Sequence, residues 1–165
     1  MGTSENSEFA KMQGAEKILA MILDHAWIAA HIPHQDSMCL LDGIEFWNET
    51  EIVCRASSHR LLDNPLRTAG SLGIANGIEY AAQAMAAHGA LLTSGDKTPA
   101  AGFLTSVRDV QWHRARLDDI ASDLTIRAER ISGNENNILY SFGVHAEGVN
   151  LLSGRASVMI NADKK

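Results

Sequence analysis

Residues 72–92 constrain the fold most, because small apolar residues occur nearly all around this segment when it is drawn as a helix. Alanine has the highest helix propensity of all residues. It occurs here at Ala75, Ala81, Ala82, Ala84, Ala86, Ala87 and Ala90. A helix that is apolar on every side is a buried helix. We therefore predict one long buried helix, with Ser71 as its N-cap and an end near Gly89.

Alternating apolar and polar residues on both sides of this helix indicate β-strands. Residues 44–56 predict a hairpin whose tip is Asn48-Glu49. After the helix we predict four strands, at residues 102–112, 122–131, 138–146 and 149–160. Strands, one helix and more strands predict an α+β arrangement in a single domain. Such a sheet has free edges, which favour dimerisation.

The N-terminal region has weaker patterns. Apolar residues recur at near-helical spacing in residues 15–30, which predicts a short helix that ends before Pro33. Residues 1–14 are predicted to be a frayed terminus, and they lack the basic and apolar regions of a signal peptide. No apolar run approaches the roughly 20 residues that a membrane span needs. We therefore expect a cytoplasmic protein without a membrane partner.

The composition excludes several classes of function. The chain has 14 basic and 20 acidic residues, a formal charge of -6, whereas nucleic-acid binding requires a basic face. Cys39 and Cys54 lie in apolar stretches, which predicts buried free thiols rather than a disulfide. The sequence has no zinc-site spacing, phosphate loop, dinucleotide fingerprint or serine-nucleophile elbow. We therefore expect neither a metal nor a cofactor.

Several short motifs resemble one enzyme family in their order and spacing. Ile32-Pro33-His34-Gln35, followed by Met38-Cys39-Leu40-Leu41-Asp42, resembles the proline-histidine-arginine opening of FabZ-type 3-hydroxyacyl-acyl-carrier-protein dehydratases. Ile78-Glu79-Tyr80-Ala81-Ala82-Gln83 resembles the central helix of that family, in which a glutamine follows the glutamate by four residues. Residues 102–112 and Ala115-Arg116-Leu117-Asp118-Asp119 resemble its strand and following turn. The chain is similar to the divergent branch of the family that is associated with aryl-polyene lipid clusters.

The resemblance implies a hot-dog fold, in which an antiparallel sheet wraps a long buried helix. It also implies action on acyl thioesters of acyl-carrier protein or coenzyme A, by a homodimer or a heterodimer with a related hot-dog chain. One departure matters. The catalytic histidine of the family lies in a loop just before the helix, and the corresponding residues 64–71 contain no histidine. Either another histidine replaces it or the chain is a catalytically altered relative.

Glu79 and His34 are the candidate catalytic residues. A carboxylate on a buried helix is unfavourable unless it has a purpose or a partner, and burial predicts a raised pKa that suits acid–base chemistry. The alternative is that Glu79 reaches the helix edge or pairs with an arginine. His34 follows Pro33 in a loop, where it can be accessible to substrate. The alternative for His34 is a structural hydrogen bond to the loop backbone.

Substrate contacts are predicted at the start of the helix. The free N–H groups of a helix N-terminus can polarise a thioester carbonyl, and glycines allow close approach of a substrate. Asn76 and Gln83 lie three and four residues from Glu79 and can orient its carboxylate or bond a thioester oxygen. The predicted substrate-binding residues are Gly70, Gly73, Asn76 and Gln83, with Gly77 in the same glycine-rich start.

The sequence offers further charged and titratable residues outside the predicted site. His59 is the nearest histidine in sequence to the missing one, and His88 is predicted to be a charge at the helix C-terminus. The remaining histidines are predicted to be surface or strand residues. A cluster of three arginines either contacts a carrier protein or its phosphate, or forms an ordinary solvated face. These arginines are Arg108, Arg114 and Arg116.

Three functions are compatible with these residues. The first is a 3-hydroxyacyl-thioester dehydratase, a lyase of fatty acid or polyene lipid synthesis, that uses Glu79 with a relocated histidine. The second is an acyl thioesterase, in which the helix carboxylate activates water. The third is a non-catalytic subunit that pairs with a related hot-dog chain and completes its tunnel. The missing loop histidine favours the third function, and the presence of Glu79 and His34 favours the first.

Overall fold

A computed structural model describes residues 23–93 and 102–160. The longest helix in these residues follows a hairpin and precedes four strands, as the alternating patterns predict. In chain order the elements are α1 (His25–His31), β1 (Gly43–Trp47), β2 (Glu51–Ala56), α2 (Gly77–Leu92), β3 (Gly102–Trp112), β4 (Leu124–Gly133), β5 (Asn137–Ala146) and β6 (Val149–Ile160). The α+β prediction is confirmed.

The six described strands form one sheet in the order β1-β2-β4-β5-β6-β3, and every neighbouring pair is antiparallel. Strand β5 shows why the sequence forms this sheet, because every second side chain is buried. The buried series is Ile138, Tyr140, Phe142, Val144 and Ala146. Strand β4 begins two residues later than predicted, whereas β3 and β6 have the predicted bounds. Strands β1 and β3 form the two edges of the sheet.

Helix α2 packs on β2, β4 and β5. None of its residues is fully exposed, which confirms the prediction from the alanine-rich composition. Its fully buried residues are Gly77, Tyr80, Ala81, Gln83, Ala84, Met85, Ala87, His88 and Ala90. Three of these residues, Tyr80, Gln83 and His88, carry polar groups, and all three take part in hydrogen-bond networks. Cys39 and Cys54 are buried free thiols, as predicted.

The predicted helix start at Ser71 is wrong. The Leu72 N–H donates to Asp118 Oδ1 over 2.8 Å, and the Ile74 N–H donates to the Ala115 carbonyl over 3.0 Å. These long-range bonds hold the chain extended, and a 3-10 turn over Ile74–Asn76 then leads into α2. At the other end α2 continues through Gly89 to Leu92. Local composition alone does not reveal the bonds that delay the helix.

Gly77 brings the start of α2 into close contact with the sheet. A Cβ at this position would lie 2.7 Å from Leu152 Cδ2 and 3.5 Å from Val144 Cγ2. We expect Gly77→Ala to lower the free energy of unfolding in urea by about 1–2 kcal/mol, because overpacking outweighs the gain in helix propensity.

Gly89→Ala is the matched control, because a Cβ there meets nothing within 4 Å. This substitution should stabilise the protein by up to about 1 kcal/mol. Equal stabilisation by both substitutions would contradict the close packing of Gly77.

The N-terminal half contains the predicted hairpin and a short helix. The β1–β2 hairpin is confirmed, and Asn48 Oδ1 closes its tip by accepting from the Thr50 and Glu51 N–H groups over 2.9 and 2.8 Å. Helix α1 begins after the N-cap Asp24, whose side chain accepts from the Trp27 N–H. The earlier part of the helix predicted over 15–30, and the frayed terminus predicted over 1–14, lie outside the described residues. Among the helices of the described part, none is long and apolar enough to cross a membrane.

Candidate active site

The two predicted catalytic side chains are in contact within one chain. His34 lies in the loop after α1, and Glu79 lies in the first turn of α2. His34 Nε2 is 2.8 Å from Glu79 Oε1, and the two side chains are 26% and 32% exposed. Both side chains are therefore partly accessible to solvent. The contact forms within one chain. The two residues are called the dyad below, and their catalytic role stays a prediction.

Gln83 joins this dyad from the next turn of α2. Its Nε2 donates to Glu79 Oε1 over 3.1 Å and to the Met38 carbonyl over 2.7 Å. Its Oε1 accepts from the Leu40 N–H over 2.8 Å. The side chain is completely buried, and these three bonds use both ends of its amide. Gln83 therefore has no free group for a thioester oxygen, and its predicted role in substrate binding is wrong.

The prediction that burial raises the pKa of Glu79 is also wrong. The hydrogen bond from His34 lowers the pKa of the Glu79 carboxyl below its ordinary value, and this effect exceeds the opposing effect of burial. The bond from Gln83 lowers the pKa further. Hydrogen bonds to the charged form favour that form. Glu79 is therefore a carboxylate near neutral pH, which suits a base rather than a proton donor.

Several N–H groups at the start of α2 are already bonded within the protein. The preceding 3-10 turn continues directly into the helix, and the Gly77 N–H is bonded to the carbonyls of that turn. Gly77 faces the sheet rather than a substrate. Asn76 Nδ2 donates to the Gly73 carbonyl over 3.1 Å. Gly70 occupies an exposed turn with φ 78°. Substrate contacts at Gly70, Gly73 and Asn76 stay predictions.

The loop that lacks the family histidine is held by a polar network around Tyr80. Asn64 is buried, and its Nδ2 donates to the Ser58 carbonyl over 2.9 Å and to Tyr80 Oη over 3.2 Å. Ser58 Oγ lies 2.7 Å from the same Tyr80 oxygen. Sequence reasoning missed this network, because a tyrosine next to Glu79 carries no signal for partners elsewhere in the chain. The loop is therefore anchored to α2 without a histidine.

Two other histidines are structural. His59 is completely buried, and its Nε2 donates to the Ile120 carbonyl over 3.0 Å. Burial lowers the pKa of His59 and favours the neutral ring. His88 is also completely buried, and burial lowers its pKa, so its predicted role as a charge at the helix C-terminus is wrong. Its Nδ1 lies 2.8 Å from Tyr140 Oη, and its Nε2 donates to the Asn48 carbonyl over 2.8 Å.

The arginine cluster has a structural member. Arg116 forms an ion pair with Asp118, whose other bond, from the Leu72 N–H, fixes the segment before α2. These two contacts hold the pKa of Asp118 well below its ordinary value. Arg108 and Arg114 are exposed. A carrier-protein contact at this cluster stays a prediction. No group of three or more metal-ligating side chains occurs in residues 23–93 and 102–160.

Comparisons with known proteins identify the family of the chain. The sequence model of the ApeP-like family, described as ApeP dehydratase, matches residues 26–165. The chain belongs to the ApeP-like dehydratase family. The match includes His34, Glu79 and Gln83, so the dyad and its buried amide lie within the family region. No curated protein sequence matches the chain.

Solved structures agree with the fold of this ApeP-like dehydratase. It is similar to the dehydratase heterocomplex ApeI:P from Xenorhabdus doucetiae, with 19% identity, a TM-score of 0.70 and coverage of 82% of this chain and 91% of that chain. A thioesterase from Haemophilus influenzae has 16% identity, a TM-score of 0.53 and coverage of 72% and 77%. The hot-dog fold predicted from the sequence is confirmed.

Proposed function

We propose that this ApeP-like protein is a cytoplasmic 3-hydroxyacyl-thioester dehydratase that acts on acyl-carrier-protein or coenzyme A thioesters in fatty acid or polyene lipid synthesis. The observation that carries the proposal is the contact of 2.8 Å between His34 and Glu79 in a chain of a dehydratase family. The dyad is partly exposed, with Glu79 on the long helix of the fold and His34 on the loop after α1.

The reaction removes water across the C2–C3 bond of the acyl chain. The Glu79 carboxylate takes a proton from C2, which is acidified by the neighbouring thioester carbonyl. The electron pair of that C–H bond forms the C2=C3 double bond as the C3–O bond breaks. The departing hydroxyl takes a proton from His34 and leaves as water. Glu79 then passes the proton that it took from C2 to His34 through their contact, so both groups return to their starting states. His34 holds the Glu79 carboxylate in place and serves as the second proton-transfer group.

The proposed quaternary structure is a dimer with a second hot-dog chain, identical or related. Strand β3 is an edge of the sheet, and it exposes Phe103, Leu104 and Trp112, whose exposed fractions are 52%, 41% and 62%. Unpaired strand edges favour pairing with another chain, and exposed aromatic residues favour interfaces. The similar Xenorhabdus structure is a heterocomplex, which supports a related chain as the partner.

A second candidate function is a subunit that completes the tunnel of a related hot-dog chain without catalysing the reaction itself. The observation that favours this function is the histidine-free loop at residues 64–71, where Asn64 instead anchors the loop to Tyr80. In this case the partner chain supplies the catalytic histidine.

A dehydration assay on a 3-hydroxyacyl-acyl-carrier-protein distinguishes these functions. We expect formation of the 2-enoyl product, monitored by mass spectrometry of the carrier protein. The purified chain should be assayed alone and after mixing with a related hot-dog chain from the same organism. Product formed without the second chain supports the dehydratase.

Product formed only by the mixture, and unchanged by Glu79→Gln, would support the non-catalytic subunit and overturn the dehydratase proposal. Release of free 3-hydroxy acid would indicate a thioesterase instead.

A further inference from the structure

The orientation of the Gln83 amide is determined by its backbone partners. The Leu40 N–H can only donate, so it must face the amide oxygen, and the Met38 carbonyl can only accept, so it must face the NH₂ group. A flipped amide would place two donors together at Leu40 and two acceptors together at Met38. The second N–H of the NH₂ group then points at Glu79 Oε1. The segment that contains Met38 and Leu40 thus fixes a hydrogen-bond donor beside Glu79.

Because of this fixed donor, the two oxygens of Glu79 have different hydrogen-bond surroundings. Oε1 accepts hydrogen bonds from Gln83 and from His34, which come from α2 and from the loop after α1. Among the described residues, Oε2 has no hydrogen-bond partner, and it is not among their buried unpaired atoms. In residues 23–93 and 102–160, His34 is the one titratable side chain that lies within ion-pair distance of the Glu79 carboxylate. One oxygen is therefore held by the protein and the other is open.

We infer that Gln83 is a positioning residue that keeps Glu79 as a carboxylate and leaves Oε2 as the oxygen that takes the substrate proton. This inference rests on the proposed dehydratase function for the identity of the proton. Gln83 is fully buried, so water cannot replace its N–H when the amide is removed. Its bonds to the Met38–Leu40 segment also prevent the amide from turning its oxygen toward Glu79.

The pKa of Glu79 tests this inference without any substrate. The carboxyl carbon of Glu79 can be titrated by ¹³C NMR, with its signal assigned from its loss in Glu79→Gln. We expect Gln83→Met, which conserves volume, to raise the pKa of Glu79, because burial remains while a hydrogen bond to the charged form is lost. Gln83→Glu should also raise it, since a second carboxyl then faces the first. An unchanged pKa in a folded Gln83 variant would overturn the inference.

Asn64→Leu is the matched control, because it removes another buried amide whose hydrogen bonds do not involve Glu79. It should destabilise the protein and leave the pKa of Glu79 unchanged. An equal rise in this control would mean that general loosening causes the shift, which would also overturn the positioning role.

Kinetics provide the second measurement. In Gln83→Met, kcat/KM for dehydration should fall on the order of tenfold, and the acid limb of its pH profile should move to higher pH together with the pKa of Glu79. An acid limb that stays in place while this pKa moves would overturn the assignment of Glu79 as the base. If the wild type shows no dehydration with any partner, the proposed function fails, and the NMR titration still decides the role of Gln83.

Discussion

Glu79→Gln is expected to reduce kcat/KM for dehydration by about a hundredfold or more, the usual effect of removing a general base. Glutamine keeps the size of the side chain and offers an oxygen at the place of Oε1, where His34 and Gln83 both donate. The fold should therefore survive, and only the proton-accepting carboxylate is lost. Initial rates of 2-enoyl thioester formation measure the effect, with circular dichroism as the test of folding.

His34→Ala should produce a loss of similar size if His34 transfers a proton, because the variant removes both the ring and the bond that holds Glu79. His34→Gln distinguishes a second role, since a glutamine can donate to Glu79 without transferring a proton. Activity near the wild-type level in His34→Gln would show that His34 only orients the carboxylate.

Glu45→Gln is the matched control for Glu79→Gln. Glu45 is a strand residue that is 43% exposed and lies 3.8 Å from Arg55. Exposed ion pairs of this kind contribute little, so the control should keep full activity. If Glu79→Gln retained more than about a tenth of the wild-type rate, the base would have to be another group, because a general base contributes about a hundredfold or more.

The contrast between Glu79 and the start of its helix shows which features sequence reasoning can predict. The buried helix was predictable because alanine spacing is a local property of residues 72–92. Its true start was not, because the bond between Leu72 and Asp118 joins residues 46 positions apart. Strand bounds were predicted within two residues because alternation is also local. The same distinction applies to the site.

At the site, the sequence named Glu79 and His34 but gave the wrong direction for the pKa of Glu79. Burial was visible in the composition, whereas the two donors to Oε1 depend on how the loop after α1 meets α2. Gln83 was assigned to the substrate because its spacing from Glu79 is local information. The bonds that occupy its amide come from Met38 and Leu40, more than 40 residues away.

The role of His88 was also predicted wrongly, because its hydrogen-bond partners are distant in the sequence. Substitution of His88 has the second large expected effect. In the neutral ring, Nε2–H donates to the Asn48 carbonyl and Nδ1 accepts from the Tyr140 hydroxyl. His88→Leu leaves the buried Tyr140 hydroxyl without its partner, and an unsatisfied buried polar group is unfavourable by about 1–3 kcal/mol. With the lost bond to Asn48, we expect a decrease of about 2–4 kcal/mol in the free energy of unfolding.

Urea denaturation of His88→Leu, Tyr140→Phe and the double variant measures this coupling. Tyr140→Phe alone should be milder, because it removes the hydroxyl and leaves only the ring nitrogen unpaired. The double variant should be more stable than the sum of the two single effects predicts. Once Tyr140→Phe has removed the hydroxyl, His88→Leu can no longer leave that hydroxyl without a partner. The exposed His113→Leu should change stability by less than about 0.5 kcal/mol. Strict additivity would mean that the bond between His88 and Tyr140 contributes nothing.

The pH dependence of stability gives an independent measure of the same histidine. Burial lowers the pKa of His88 in the folded protein, the bond to the Asn48 carbonyl opposes this effect, and Arg130 lowers the pKa further. The unfolded chain therefore binds a proton near the ordinary histidine pKa of about 6.5 while the folded chain does not. Stability must then fall as the pH decreases through about 6.5. His59 and His145, whose pKa values burial also lowers, contribute to the same slope. In His88→Leu the slope should become shallower, and an unchanged slope would mean that His88 titrates alike in both states.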